Sequence, residues 1–155
     1  MKYKYHFFDD YSEGAHPQIL DALRDTNLQQ EQGYSDDCFS IKATQLIQGK
    51  INMPHAPVHF VATGTQANVV CLASLLKPYE SVIAVDSAHI NVYEAGAIEA
   101  TGHKVHALPA VDGKLTPQAI QTLVAAHTFD QMVKPKVVYI SQTTEIGSIY
   151  SKKEL

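Results

Sequence analysis

Three polar segments of this 155-residue chain each follow an apolar run, and each carries side chains suited to chemistry. Thr63-Gly64-Thr65-Gln66-Ala67-Asn68 follows Val58-His59-Phe60-Val61, and Ser87-Ala88-His89 follows Ser81-Val82-Ile83-Ala84-Val85. Thr143-Thr144-Glu145 follows Val137-Val138-Tyr139-Ile140. A glycine between hydroxyl residues at a helix start offers free N–H groups, the positive end of the helix dipole and close approach for an anion. The same residues also make a plain threonine cap with a turn glycine. The segment is neither a Walker loop nor G-x-G-x-x-G. His89 offers either a neutral ring that stacks on a flat ligand or a packed surface imidazole. Glu145 offers either an acid/base carboxylate or a solvated loop acid. Together the three groups describe a pocket for a phosphate and a flat ring.

Histidine pairs invite a metal reading that the spacing opposes. Pro54 and Pro57 break helical spacing around His55 and His59, and a strand sends His103 and His106 to opposite faces. No metal is expected. Asp9-Asp10 and Asp36-Asp37 read as cap and turn residues rather than catalytic pairs.

The elements that must position these groups alternate. Helices are expected over Gly64–Leu76, over about Val92–Thr101 with Gly102 as its stop, and from Thr116-Pro117 onward. Strands are expected at Val58–Val61, Ser81–Val85, Lys104–Leu108 and Val137–Ile140. Strands alternating with helices predict an α/β fold: three α/β/α layers around a mostly parallel sheet. The three polar groups then share the carboxyl edge, where open sheets bind ligands. Residues 1–52 read as a helical arm and 53–155 as the α/β domain. In the arm, Pro17 opens one helix, with Ile19, Leu20 and Leu23 on one face. Asp36 or Asp37 caps a second, with Phe39, Ala43, Leu46 and Ile47 as its stripe and Gly49 as its end.

Eleven lysines and a single arginine, Arg24, stand against sixteen acids, for a net charge of −4. That balance excludes a nucleic-acid backbone reader and a polybasic membrane surface. No apolar run is long enough to span a bilayer, and the first ten residues do not make a secretory leader. Cys38 and Cys71 suit small buried thiols in a reducing cytoplasm; the count also permits one disulfide, which nothing else in the sequence favours. Ser151-Lys152-Lys153-Glu154 has the form of a capping box. It reads either as a chance match in a frayed tail or as the start of a helix in a longer protein.

Read in order, Asp10-Tyr11-Ser12-Glu13-Gly14-Ala15-His16-Pro17, Gly33-Tyr34, Ala62-Thr63-Gly64-Thr65-Gln66-Ala67-Asn68, Ala88-His89 with Glu94-Ala95-Gly96-Ala97, Asp112-Gly113-Lys114-Leu115-Thr116-Pro117 and Thr144-Glu145-Ile146-Gly147-Ser148-Ile149-Tyr150 resemble the low-specificity threonine aldolases. These belong to the β-eliminating lyase group of pyridoxal-phosphate enzymes, and the resemblance covers nearly the whole chain. It implies the N-terminal half of an aspartate-aminotransferase-like large domain. Pyridoxal phosphate is the implied cofactor, a β-hydroxy-α-amino acid such as threonine the implied substrate, and a homo-oligomer the implied assembly. Gly64 and Thr65 match the pair that holds the cofactor phosphate, and His89 the histidine stacked on its ring. Ser12 matches the serine on the substrate carboxylate. Tyr34 matches a tyrosine that reaches the cofactor region across a dimer interface. Glu145 stands where many relatives carry a histidine near the substrate hydroxyl, in a Thr-Glu-x-Gly-x-x-Tyr form that resembles another branch. The family's Schiff-base lysine, the aspartate on the ring nitrogen and a nearby arginine lie beyond the position matching Leu155. The resemblance therefore implies an N-terminal fragment, inactive by itself. The alternatives are a β-eliminating reaction of the same family, or a non-catalytic module that binds anions or self-associates.

Overall fold

The computed structural model describes Asp9 and residues 11–155. They fall into two compact units, Met1–Phe60 and Val61–Leu155. No helix among the described residues is long and apolar enough to cross a membrane.

The first unit carries two helices, α1 (Pro17–Thr26) and α2 (Cys38–Ile51). Pro17 occupies the first turn of α1, where its missing N–H costs nothing. Asp37 caps α2 by accepting from the Ser40 N–H at 2.7 Å. The sequence predicts that Gly49 ends this helix, and it does not. Helical bonds carry on to Ile51, and Asn52 takes the left-handed turn at φ 55°, a conformation asparagine tolerates. No residue of either helix is buried. Asp10 lies outside the described residues; Asp9 closes a turn, accepting from Ser12 N at 2.8 Å and Ser12 Oγ at 2.7 Å.

The second unit runs α3 (Gly64–Leu75), β1 (Glu80–Val85), α4 (His89–Val92), a 3-10 turn (Glu99–Thr101), β2 (Val105–Leu108), α5 (Pro117–Ala126) and β3 (Lys134–Val138). The strands form one parallel sheet in the order β2-β1-β3. All six residues of β1 are buried, as a strand covered on both faces requires. Leu72 and Leu76 from the α3 region, Ile90, Ile98 and Leu115 close over it in a single core. The α/β class and parallel pairing match the sequence reading.

Three expected elements differ. Residues 58–61 form no strand: among the described residues they have no ladder partner, and their apolar run alone does not make one. The helix expected over Val92–Thr101 is broken, because Ala95 and Gly96 adopt φ 50° and 75°, outside helical space. The last strand starts three residues earlier than expected, at Lys134, and at its carboxyl end a bond from Tyr139 N to Ile83 O at 2.8 Å extends the ladder.

Both cysteines are free and exposed rather than buried. Cys38 opens α2 beside Glu31, whose carboxylate accepts from its thiol at 3.1 Å and pushes the thiol pKa up. His103 and His106 are buried separately: His103 Nδ1 faces the Glu80 carbonyl at 3.3 Å, and His106 packs edge-on against His127.

Candidate functional site

In the order β2-β1-β3 the chain leaves β1 toward one side for β2 and crosses to the other for β3. The carboxyl ends of β1 and β3 therefore flank a switch point, where parallel sheets open a crevice. A small cleft lies there, lined by Val85, Ala88, Tyr139, Ser141, Thr144 and Glu145.

From β1 the chain turns at once, with Ala88 N donating to Val85 O at 3.0 Å. Asn91 Nδ2 holds the Asp86 carbonyl at 2.7 Å, which fixes this turn and starts α4 at His89. After β3, the loop 141–150 is tied to itself and to the turn at Asp112-Gly113. Thr144 N donates to Ser148 O at 2.9 Å, and Ser148 Oγ donates to Asp112 O at 2.6 Å. Tyr150 OH accepts from Leu115 N at 2.7 Å.

These two turns bring Glu145 onto His89. Glu145 Oε1 accepts from the His89 N–H at 3.2 Å and from Ser141 Oγ at 2.8 Å. Its Oε2 stands 3.8 Å from His89 Nδ1. On the other side of the ring, Glu94 Oε1 stands 3.8 Å from His89 Nε2 and accepts from Asn68 Nδ2 at 2.6 Å. The His89 side chain is about half exposed and that of Glu94 fully enclosed. Tyr93 lies beside the His89 ring with centroids 5.5 Å apart.

Gly64 and Thr65 open α3. Thr63 caps it by accepting from Gln66 N at 3.0 Å, and Gln66 Oε1 accepts from Ala62 N at 2.7 Å. The first-turn N–H groups of Gly64 and Thr65 have no carbonyl within the helix to bond. Beyond its own helix and chain neighbours, no described heavy atom lies within 4 Å of where a Gly64 Cβ would stand, so that side of the helix start is open. Asn68 sits one turn further along, on the same face as Gly64. The Asn68–Glu94–His89 contacts thus run from the first turns of α3 to the ring.

Ser12 and Tyr34 belong to the other unit. Ser12 is exposed and bonded to Asp9. Tyr34 is fully exposed at φ 62°, followed by Ser35 at φ 69°. Two successive non-glycine residues in the left-handed region are uncommon outside special turns.

Glu94, Asn68 and Ser141 join the cluster without having been singled out for a role from the sequence. The available signal was a lone acid opening the small-residue run Glu94-Ala95-Gly96-Ala97, five residues after His89. An unbroken helix there would have hidden its meaning.

The sequence model of the β-eliminating lyases matches residues 11–155. The low-specificity L-threonine aldolase of a Pseudomonas species is 36% identical over 149 residues, covering 95% of this chain and 42% of that protein. The enzyme of the same name from Pseudomonas aeruginosa is 34% identical over the same share of each. A solved structure of Leishmania major threonine aldolase superposes with a TM-score of 0.88 at 46% identity, covering 93% of this chain and 42% of that one. The chain spans less than half the length of these relatives, and over that span both sequence and fold agree: it belongs to the β-eliminating lyase family.

Proposed function

We propose that these residues form the phosphate- and ring-binding part of a pyridoxal-phosphate site in a lyase that cleaves β-hydroxy-α-amino acids, threonine to glycine and acetaldehyde among them. The observation that carries this reading is the pairing of His89 with Glu145 at the carboxyl ends of β1 and β3, linked through Glu94 and Asn68 to the open N-terminus of α3. The residues present suit the group: a glycine with open space above it for a phosphate, free N–H donors, and a half-exposed imidazole for a flat ring. Bound there, the cofactor would supply the electron sink that carbon–carbon cleavage requires.

In this reading the Gly64 and Thr65 N–H groups hold the phosphate, and the His89 ring lies against the pyridine. Glu145 holds the His89 backbone and presents its remaining oxygen to the substrate hydroxyl, whose proton must leave when the bond breaks. Ser12 binds the substrate carboxylate, and Tyr34 closes the site from a second copy. The exposed apolar stripes of α1 and α2, Ile19, Leu20 and Leu23 with Phe39 and Leu46, support self-association. The resemblance matches none of the eleven lysines to the one that anchors the cofactor, and in this reading these residues by themselves bind it weakly and turn over nothing.

Two measurements test this. In amide NMR, pyridoxal phosphate and inorganic phosphate should shift Gly64 and Thr65, while pyridoxal without its phosphate should not; unmoved amides would overturn the site. In a chimera, these residues replace the matching 42% of the Pseudomonas enzyme. A folded chimera that releases glycine from threonine supports the aldolase reading, and a folded, inactive one favours the non-catalytic alternative.

A further inference from the structure

Glu94 is enclosed at a cost that its surroundings do not offset. Its side chain has no exposure, and it lies in sequence between the core residues Ile90 and Ile98. Enclosing a carboxylate is unfavourable by several kcal/mol unless partners replace its water. Among the described residues Oε1 has one hydrogen bond, from Asn68, and Oε2 has none. An apolar residue would pack at this position without that penalty, so the carboxylate calls for a role other than packing.

Its neighbours indicate the role. Asn68 comes from α3, one turn from Gly64, and His89 opens α4 after β1. Glu94 accepts from Asn68 and stands 3.8 Å from His89 Nε2, and with Glu145 it leaves a carboxylate on the side of each ring nitrogen. Both separations, 3.8 Å, exceed hydrogen-bond length, and a neutral imidazole has one N–H to give, yet a carboxylate on each side favours ring orientations that aim an N–H at one of them over all others. A half-exposed imidazole without such neighbours samples several rotamers, and a flat ligand needs one of them.

We propose that Glu94 is a positioning residue: it fixes the plane of the His89 ring from the Nε2 side and ties that ring to the anion-holding helix through Asn68. This rests on the ligand reading given above. The carboxylate acts through His89 and need not touch the ligand.

The test uses the full 155-residue chain with ¹⁵N-labelled histidine. Glu94→Gln keeps an acceptor for Asn68 and removes the charge facing Nε2. The His89 ring ¹⁵N signals should move toward those of a free, averaging imidazole. The Gly64 and Thr65 amides should still respond to inorganic phosphate as in the parent chain, and pyridoxal phosphate should bind about tenfold more weakly, the scale of one lost charge-assisted contact. Asn68→Ala, which frees Glu94 from α3, should disturb the His89 signals in the same direction, and it decides the matter if Glu94→Gln does not fold. Unchanged His89 ring signals in a folded variant overturn the proposal, whatever happens to the ligand. If pyridoxal phosphate fails to bind the parent chain but the ring signals respond, the cofactor reading falls and the positioning role stands.

Discussion

The backbone N–H of His89 donates to the carboxylate of Glu145 across 3.2 Å, joining the turn after β1 to the turn after β3. The two residues lie far apart in sequence, yet the strand order sets their parent strands side by side. One carboxylate therefore holds two loops. With Ser141 Oγ at 2.8 Å on the same oxygen, Glu145 is a structural tie as well as a candidate proton acceptor.

Replacing Glu145 should separate these roles. Glu145→Ala leaves the His89 N–H and the Ser141 hydroxyl without their acceptor and should destabilise the second unit by about 1–2 kcal/mol. Glu145→Gln keeps an acceptor oxygen and should recover most of that loss. In the active chimera it should still lack the proton-accepting function. Urea midpoints check the first statement and glycine release the second. Equal stability of Glu145→Ala and the parent chain would show that the tie carries no energy.

His106 gives the chain a weakness in mild acid. Burial holds its pKa below the ordinary 6.5, with the Lys104 charge and His127 acting in the same direction. The unfolded chain takes up a proton as pH falls through 6.5, and the folded chain resists until its own lower value. The unfolded state therefore binds more protons over that interval, and stability declines as pH drops. Urea midpoints taken from pH 7.5 down to 5.5 should fall, and His106→Gln should flatten the slope. Asp9, Glu31 and Asp37 are held below their ordinary carboxylate values and contribute only at lower pH, so the two windows separate.

The sequence carries its local signals well and its long-range ones poorly. Asp37, Thr63 and Thr116 cap helices because a cap needs only its own next three residues. The run Ser81–Val85 declares a doubly covered strand by composition alone. Ser151 and Glu154 bond reciprocally, at 2.6 and 3.3 Å, which is the capping-box reading of their spacing rather than the chance-match one. By contrast, Val58–Val61 depends on a partner strand that its own residues do not specify. The break at Ala95-Gly96 rests on positive φ at an alanine, which no propensity signals. That break sets Glu94 beside His89, so the least legible part of the site is the part that backbone irregularity builds.

The Ser151–Glu154 pair makes a separate acid prediction. Hydrogen bonds from the Ser151 side chain and backbone, with Lys114 Nζ at 2.9 Å, bring the Glu154 pKa down to about 2. A carboxyl-carbon NMR titration should find Glu154 ionised well below the range of free glutamates. Ser151→Ala should raise its midpoint most and Lys114→Met less, following the order of the causes. The reverse order would make the lysine the main partner.

Gly64 and Gly113 should respond oppositely to alanine, and the contrast separates folding from binding. At Gly113, φ is +69°, and an added Cβ would stand 2.7 Å from the Ile146 side chain and 3.0 Å from Thr144 Oγ1. Both the left-handed backbone and the contact with the 144–148 loop oppose a side chain there, so Gly113→Ala should cost about 1–3 kcal/mol. Gly64 opens α3 without a positive φ, and a Cβ there would meet nothing within 4 Å beyond its own helix and chain neighbours. Gly64→Ala should leave folding unchanged or gain up to about 1 kcal/mol, since alanine is the better helix former. The added methyl instead occupies the space an anion needs to reach the first-turn N–H groups. Phosphate-induced shifts of Thr65 should therefore shrink in Gly64→Ala while its urea midpoint holds or rises. In Gly113→Ala the midpoint should drop while phosphate binding to the folded fraction persists. An anion response unaffected by Gly64→Ala would place the phosphate elsewhere than the start of α3.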